Sequence, residues 1–212
     1  MTISTYQPGA EGIDTYVPIS GVTNHGADPY VLVNAGNHGL IKFDISDIPS
    51  TAECVSAVLS LYSWAGTGTG DTWTVYSIKS ANSGWTESGA DGSTIDGSTP
   101  WAGSNGCSTS GTDYESTGIG SCVMNENFVQ ENQFSLTSSV VKTWFGVSNT
   151  NYGMVIFTNH ASHSLFVVSS DSEPVYSAFR PKLVVDYDSS GLLYRRTFSR
   201  IGPNYGLRQS TY

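Results

Sequence analysis

Charge is scarce in this sequence, and positive charge is scarcer: charged residues make up 13%, with 9 Lys and Arg against 18 Asp and Glu. The basic residues are also displaced. Residues 1–188 carry 5 Lys or Arg and all 18 acids, a net of −13, whereas residues 189–212 carry 4 Arg and no acid, a net of +4. An acidic body argues against a nucleic-acid-binding face on it. Cysteine is limited to Cys54, Cys107 and Cys122, with no Cys-x-x-Cys pair, so a zinc framework of that kind is excluded. No apolar run approaches the ~20 residues of a membrane span. The opening Met1-Thr-Ile-Ser-Thr-Tyr-Gln-Pro-Gly has neither the basic nor the apolar region of an export signal. That lack is expected of a cytosolic protein, of a virion component released by lysis, or of an exported one whose signal is gone. No Gly-x-Ser-x-Gly, Gly-Lys-Ser/Thr or Asp-x-Asp-x-Asp-Gly is present.

What is present is turn and strand material. Gly numbers 23 and Tyr 12, with 5 Trp, and hydrophobic residues at 38% can fill one sizeable core. Such a composition predicts many short strands and few helices. Residues 1–12 read as a leader with Pro8, Gly9 and Gly12, and residues 13–188 as one domain. Strands are expected at 30–34, 40–45, 154–158, 165–169 and 183–187, with another at Trp73-Thr-Val-Tyr. The clearest lies at 55–62, where Val55, Ala57, Leu59 and Leu61 alternate with Ser56, Ser60 and Tyr62. Leu136, Val140, Val141 and Trp144 share one face of a short helix, with Thr137 or Ser138 to cap it and Gly146 to end it. Residues 80–123 form a long excursion of Gly, Ser, Thr, Asn and Asp, of a length that often carries function. The fold class expected is all-β: a jelly-roll β-sandwich with one short helix and a long Gly/Ser/Thr-rich loop.

Several segments carry a resemblance when taken in order. They are Asp14-Thr-Tyr-Val17, Phe43-Asp-Ile-Ser-Asp-Ile-Pro49, Ala57-Val-Leu-Ser-Leu-Tyr62, Trp85-Thr-Glu87, Ser135-Leu-Thr-Ser-Ser-Val-Val-Lys-Thr-Trp144, Asn151-Tyr152-Gly153 and Arg180-Pro-Lys-Leu-Val-Val-Asp-Tyr187. Together they resemble the DNRLRE-type domain, a jelly-roll sandwich of carbohydrate-binding modules and cell-surface proteins. Ser135 stands where that pattern has an acid, and the basic motif that names the family is absent. The resemblance therefore implies a fold, not a binding role.

Candidate functional residues fall into four groups. Sugars need flat aromatic faces beside hydroxyl-bonding side chains, and Trp64, Trp101 and Tyr114 lie in or next to Gly-rich loops with Asp and Asn nearby. Trp85 reads as packing beneath the long loop. Cys107 and Cys122 flank 14 residues of loop. Bridged, they would restrain it by about 3 kcal/mol; unbridged, they are two thiols, and spacing leaves both open. His160-Ala-Ser-His163 lacks the Glu and the helical spacing of a zinc-protease motif, so no metal ligands and no cofactor are expected. Glu53, Glu87, Glu115, Glu126 and Glu131 are the carboxylates available to any hydrolase pairing, which spacing alone does not supply. The tail, residues 189–212, interleaves Arg195, Arg196, Arg200 and Arg208 with Phe198, Ile201 and Tyr205, a composition suited to docking on an acidic neighbour.

The expected protein is not an enzyme. It is a structural or interaction component of a virion, a phage head decoration or tail-associated subunit. It would self-associate and dock on protein neighbours through its tail. The alternative is a secreted carbohydrate-binding module of a cell-surface or polysaccharide-degrading protein, with a glycan as ligand.

Overall fold

The computed structural model describes residues 1–9 and 12–189. The tail residues Arg195, Arg196, Phe198, Arg200, Ile201, Tyr205 and Arg208 lie outside them. The described chain is an all-β, sandwich-like fold of antiparallel strands. The strands are β1 Thr2–Tyr6, β2 Ile13–Pro18, β3 Tyr30–Asn34, β4 Asn37–Lys42, β5 Glu53–Gly66, β6 Thr72–Ser77, β7 Gly120–Val123, β8 Glu131–Leu136, β9 Met154–Thr158, β10 Ser164–Val168 and β11 Lys182–Asp188. The one short helix, α1, is Ser138–Val141, continued by a 3-10 turn at Lys142–Trp144.

One layer runs β1-β11-β5-β8, and the other contains β2-β4-β9-β6-β7 with β3 paired to β10. β5 belongs to both: residues 53–62 pair with β11 and β8, and residues 63–66 pair with β10. The sheet therefore curls over itself along its longest strand. Alternation places Ala57, Leu59 and Leu61 inward against Phe134, Leu183, Trp73, Met154 and Ile156.

Four differences from the expectations have physical reasons. The first residues are not a plain leader, because Thr2–Tyr6 completes an edge by pairing along β11. β8 was hidden in the sequence: only Phe134 and Leu136 are apolar there, and Leu136 ends the strand rather than starting the helix. The stretch expected as strand to Ile45 stops at Lys42, after which Asp44 bends the chain by accepting Ser46 N–H at 2.9 Å. Ile45 still reaches the core. At the helix start, Thr137 spends its hydroxyl on the Ile119 carbonyl at 3.0 Å instead of capping.

The long excursion is a third layer. Trp85, Ala90, Ile95, Trp101 and Cys107 cover the outer face of the second sheet, against Val17, Leu40 and Val155. β4 is thereby buried on both faces: Leu40 points to this outer cluster and Ile41 to the inner core. The layer's own backbone is tied by carboxylates. Asp91 accepts the N–H groups of Ser93 and Thr94, at 2.6 and 2.7 Å. Asp96 does the same for Ser98 and Thr99, and these bonds hold its carboxyl down at about 2. Gly92 is needed for contact, since a Cβ there would sit 2.3 Å from the Gly21 carbonyl oxygen.

Candidate functional site

The three expected sugar-facing aromatics do not share a face. Trp101 is buried in the outer cluster and donates its indole N–H to the Asp91 carbonyl at 2.9 Å. Tyr114 packs between Tyr76 and Phe157, with ring centroids 5.1 and 4.9 Å away. Both anchor the third layer. Trp85 does so too, donating to the Tyr152 carbonyl at 2.7 Å.

Trp64 is different. It lies on β5, on the face opposite Leu59 and Leu61, and is partly exposed, next to a ring that is more so. Tyr176 meets it at 4.6 Å and 67°, and Phe128 at 6.0 Å and 75°. Phe128 and Tyr176 close the triangle at 6.2 Å and 88°. Phe128 is 56% exposed and Val175, next to Tyr176, 72%. A large aromatic left in water beside a partly exposed ring on a sheet is the kind of feature that marks contact sites.

The loop that carries Phe128 is held in place. Buried Asn132 donates to Ser63 Oγ at 2.9 Å and to the Asn125 and Gln130 carbonyls, while its own oxygen accepts Asn125 N–H at 2.7 Å. Val129 sits at φ +54°, a region that a β-branched residue enters only under strain. Its N–H is bonded to the Ser63 carbonyl at 2.7 Å. The surroundings thus hold a strained backbone that leaves Phe128 facing outward. Beside the triangle, Phe179 contacts Tyr62, and Lys182 bonds both Tyr62 Oη at 3.0 Å and the Glu131 carboxylate at 3.2 Å. Burial alone would raise Glu131, but bonds from Ser60, Gln133, Lys182 and Tyr62 outweigh it and hold it at about 2.

The cysteine bridge is not formed. Cys107 is sealed beneath the third layer, Cys122 lies on β7 opposite Trp73, and all three cysteines are free thiols. Fifteen positions of chain separate them across two sides of one sheet. The free carboxylates are also dispersed. Glu53 faces Lys142, Glu115 faces Lys79, and Glu126 accepts the N–H groups of Gly68 and Thr69. Glu87 accepts Asp14 N–H at 2.8 Å. Spacing did not reveal that His160 and His163 stack face to face at 3.6 Å and 12°, with His163 Nδ1 3.0 Å from both carboxylate oxygens of Asp71.

Glu87 gives a pH prediction. Burial, and then the charges of Asp14 and Asp171, push its carboxyl up to about 7, against the N–H bond from Asp14 that pulls it down. The folded state therefore holds this proton more tightly than the unfolded chain. The stabilisation is full below the unfolded carboxylate range and is lost as pH rises towards about 7. Buried His38, pushed down chiefly by burial, works in the opposite direction. Comparison with Glu87→Gln removes that complication. The variant's melting temperature should gain on the parent's between pH 5 and 8, followed by circular dichroism; parallel curves would contradict the assignment.

No protein-family model matches the chain, and no curated protein matches it. What the fold and site define is a class: a three-layered, all-β sandwich-like domain with an aromatic triangle on its outer face. Among the described residues, no helix is long and apolar enough to cross a membrane.

Proposed function

We propose that this chain is a non-enzymatic structural and interaction protein, a virion component of the head-decoration or tail-associated kind, with a sandwich of the DNRLRE type. Its partners are neighbouring copies of itself. The observation that carries the reading is the Trp64–Phe128–Tyr176 triangle, held by a strained and hydrogen-bonded loop with Phe128 and Val175 left in solvent. Charge supports self-association: the −13 of residues 1–188 complements the +4 of residues 189–212. Arg195, Arg196, Arg200 and Arg208 would supply charge-assisted bonds to the acidic body of a neighbour.

The second reading is a carbohydrate-binding module of an extracellular or cell-surface protein. It is favoured by one fact, that Trp64, unlike Trp101 and Tyr114, sits against an exposed ring, that of Phe128. The ring geometry weighs against it. The three rings meet edge to face, at 67–88°, which makes a knob rather than the flat platform a pyranose stacks on. Measuring size in solution alongside a glycan panel separates the two. Self-association that depends on Phe128 supports the first reading, and a Trp64-dependent glycan signal from a monomer supports the second.

A further inference from the structure

Two turns meet at one rim of the second sheet, and they bring together three side chains that the assembly reading does not use. The turn between β5 and β6 ends at Asp71, whose side chain is buried. Its N–H bonds the Gly68 carbonyl at 2.9 Å and its carbonyl accepts Met124 N–H at 2.8 Å. The turn between β9 and β10 carries His160 and His163. The turns are zipped together on both sides of these residues. Asn159 N–H bonds the Thr72 carbonyl at 3.0 Å, Thr72 N–H bonds Asn159 Oδ1 at 2.9 Å, and Thr67 N–H bonds the Ser164 carbonyl at 2.8 Å. One ligand atom from each of Asp71, His160 and His163 lies within 4.8 Å of the others.

We propose that Asp71, His160 and His163 form a binding site for a divalent transition metal, with zinc as the best match. The donor set is the reason. Two imidazoles and one carboxylate suit zinc and its neighbours in the first transition row, whereas calcium and magnesium prefer all-oxygen ligands. Zinc binds nitrogen and oxygen at roughly 2.0–2.2 Å, so donor atoms around it sit closer together than 4.8 Å. The site closes by rotation of the imidazoles, both of which reach solvent. The backbone needs no rearrangement, because the two turns are already paired. The ion takes the place of the proton shared by His163 Nδ1 and the Asp71 carboxylate. Three protein ligands leave a fourth position for water or for a group from a neighbouring molecule.

The site lies next to the proposed contact surface along the chain. Glu126, which accepts the N–H groups of Gly68 and Thr69 in the Asp71 turn, is two residues from Phe128. A bound ion would tie the β5–β6 and β9–β10 turns together beside the loop that displays Phe128. The proposal does not depend on the assembly reading, since metal binding by the isolated chain tests it alone.

The test is titration of the full chain with zinc by calorimetry and with cobalt by visible absorption. The expected result is one ion per chain, the intense bands of low-coordinate cobalt, and a rise in melting temperature. His160→Ala and His163→Ala, both on a solvent-reaching turn, should each weaken binding by at least the ~10–100-fold seen for residues that merely orient a ligand. Asp71→Asn should weaken it as well. His25→Ala and Cys122→Ser should leave it unchanged, the latter because a half-buried thiol is the obvious competing ligand. No stoichiometric binding, or binding that survives in the His160→Ala/His163→Ala double variant, would overturn the proposal.

Discussion

Replacing Asp113 by alanine should unfold the third layer at a cost of about 3–5 kcal/mol. Asp113 is fully buried within the excursion. Its carboxylate accepts the N–H groups of Gly103, Ser104 and Thr109 at 2.8, 3.1 and 2.8 Å, and Asn82 Nδ2 at 3.0 Å. Bonds to a charged acceptor are each worth about 1.5–3 kcal/mol, and they act together here, so the sum is not additive. Asn82 extends the knot by accepting Ala102 N–H at 3.0 Å. Urea denaturation measures the loss. A second readout is local: Cys107 is sealed beneath this knot, with its thiol pushed well up by burial and then by Asp113. It should become reactive to a thiol reagent under native conditions in Asp113→Ala and stay protected in the parent. Asp113→Asn keeps one acceptor oxygen and should fall between the two. A cost below about 0.5 kcal/mol, the range of ordinary surface substitutions, would contradict the role given to Asp113.

Trp85→Ala should cost a similar amount, about 3–5 kcal/mol. The indole is 4% exposed, packs in the outer cluster, and bonds the Tyr152 carbonyl at 2.7 Å. Gly153 lies so close, at φ +96°, that a Cβ there would meet the indole nitrogen at 3.0 Å. Alanine would leave a cavity and an unpaired carbonyl between the third layer and β9. If the layer detaches as a unit, the Asp113→Ala/Trp85→Ala double variant loses less than the sum of the singles. Strict additivity would mean that the two residues hold separate pieces of it.

The segments behind the resemblance turn out to bond one another. Asp14 meets Glu87 of the Trp85-Thr-Glu segment, Trp85 meets Tyr152, and Asn151 donates to the Phe43 carbonyl at 2.7 Å. Such positions are legible because one side chain has one structural task. The alternation that revealed β5 was legible for the same reason. β8 and β1 were not, because Asn132, Gln133 and the Thr and Ser of 2–5 carry little hydrophobic signal, and pairing rather than burial makes them strands. The excursion was read as loop because its apolar residues are spaced without a period. Its order comes from carboxylate-bonded turns that only three dimensions display. The aromatic triangle was half legible: Trp64 stood out, but Phe128 and Tyr176 come from distant segments. Asp71 closes a Gly-rich turn far from His160 in sequence, and no spacing rule connects them.

The central claim is that the face bearing the triangle is a contact surface between copies. Sedimentation velocity over a concentration series, on the full chain and on Phe128→Ser/Val175→Ser, tests it most directly. Both side chains are mostly in solvent, so the variant should fold as the parent does. The account predicts a defined, concentration-dependent oligomer for the parent and a monomer for the variant. A parent that stays monomeric throughout, or a variant that associates equally well, would contradict it.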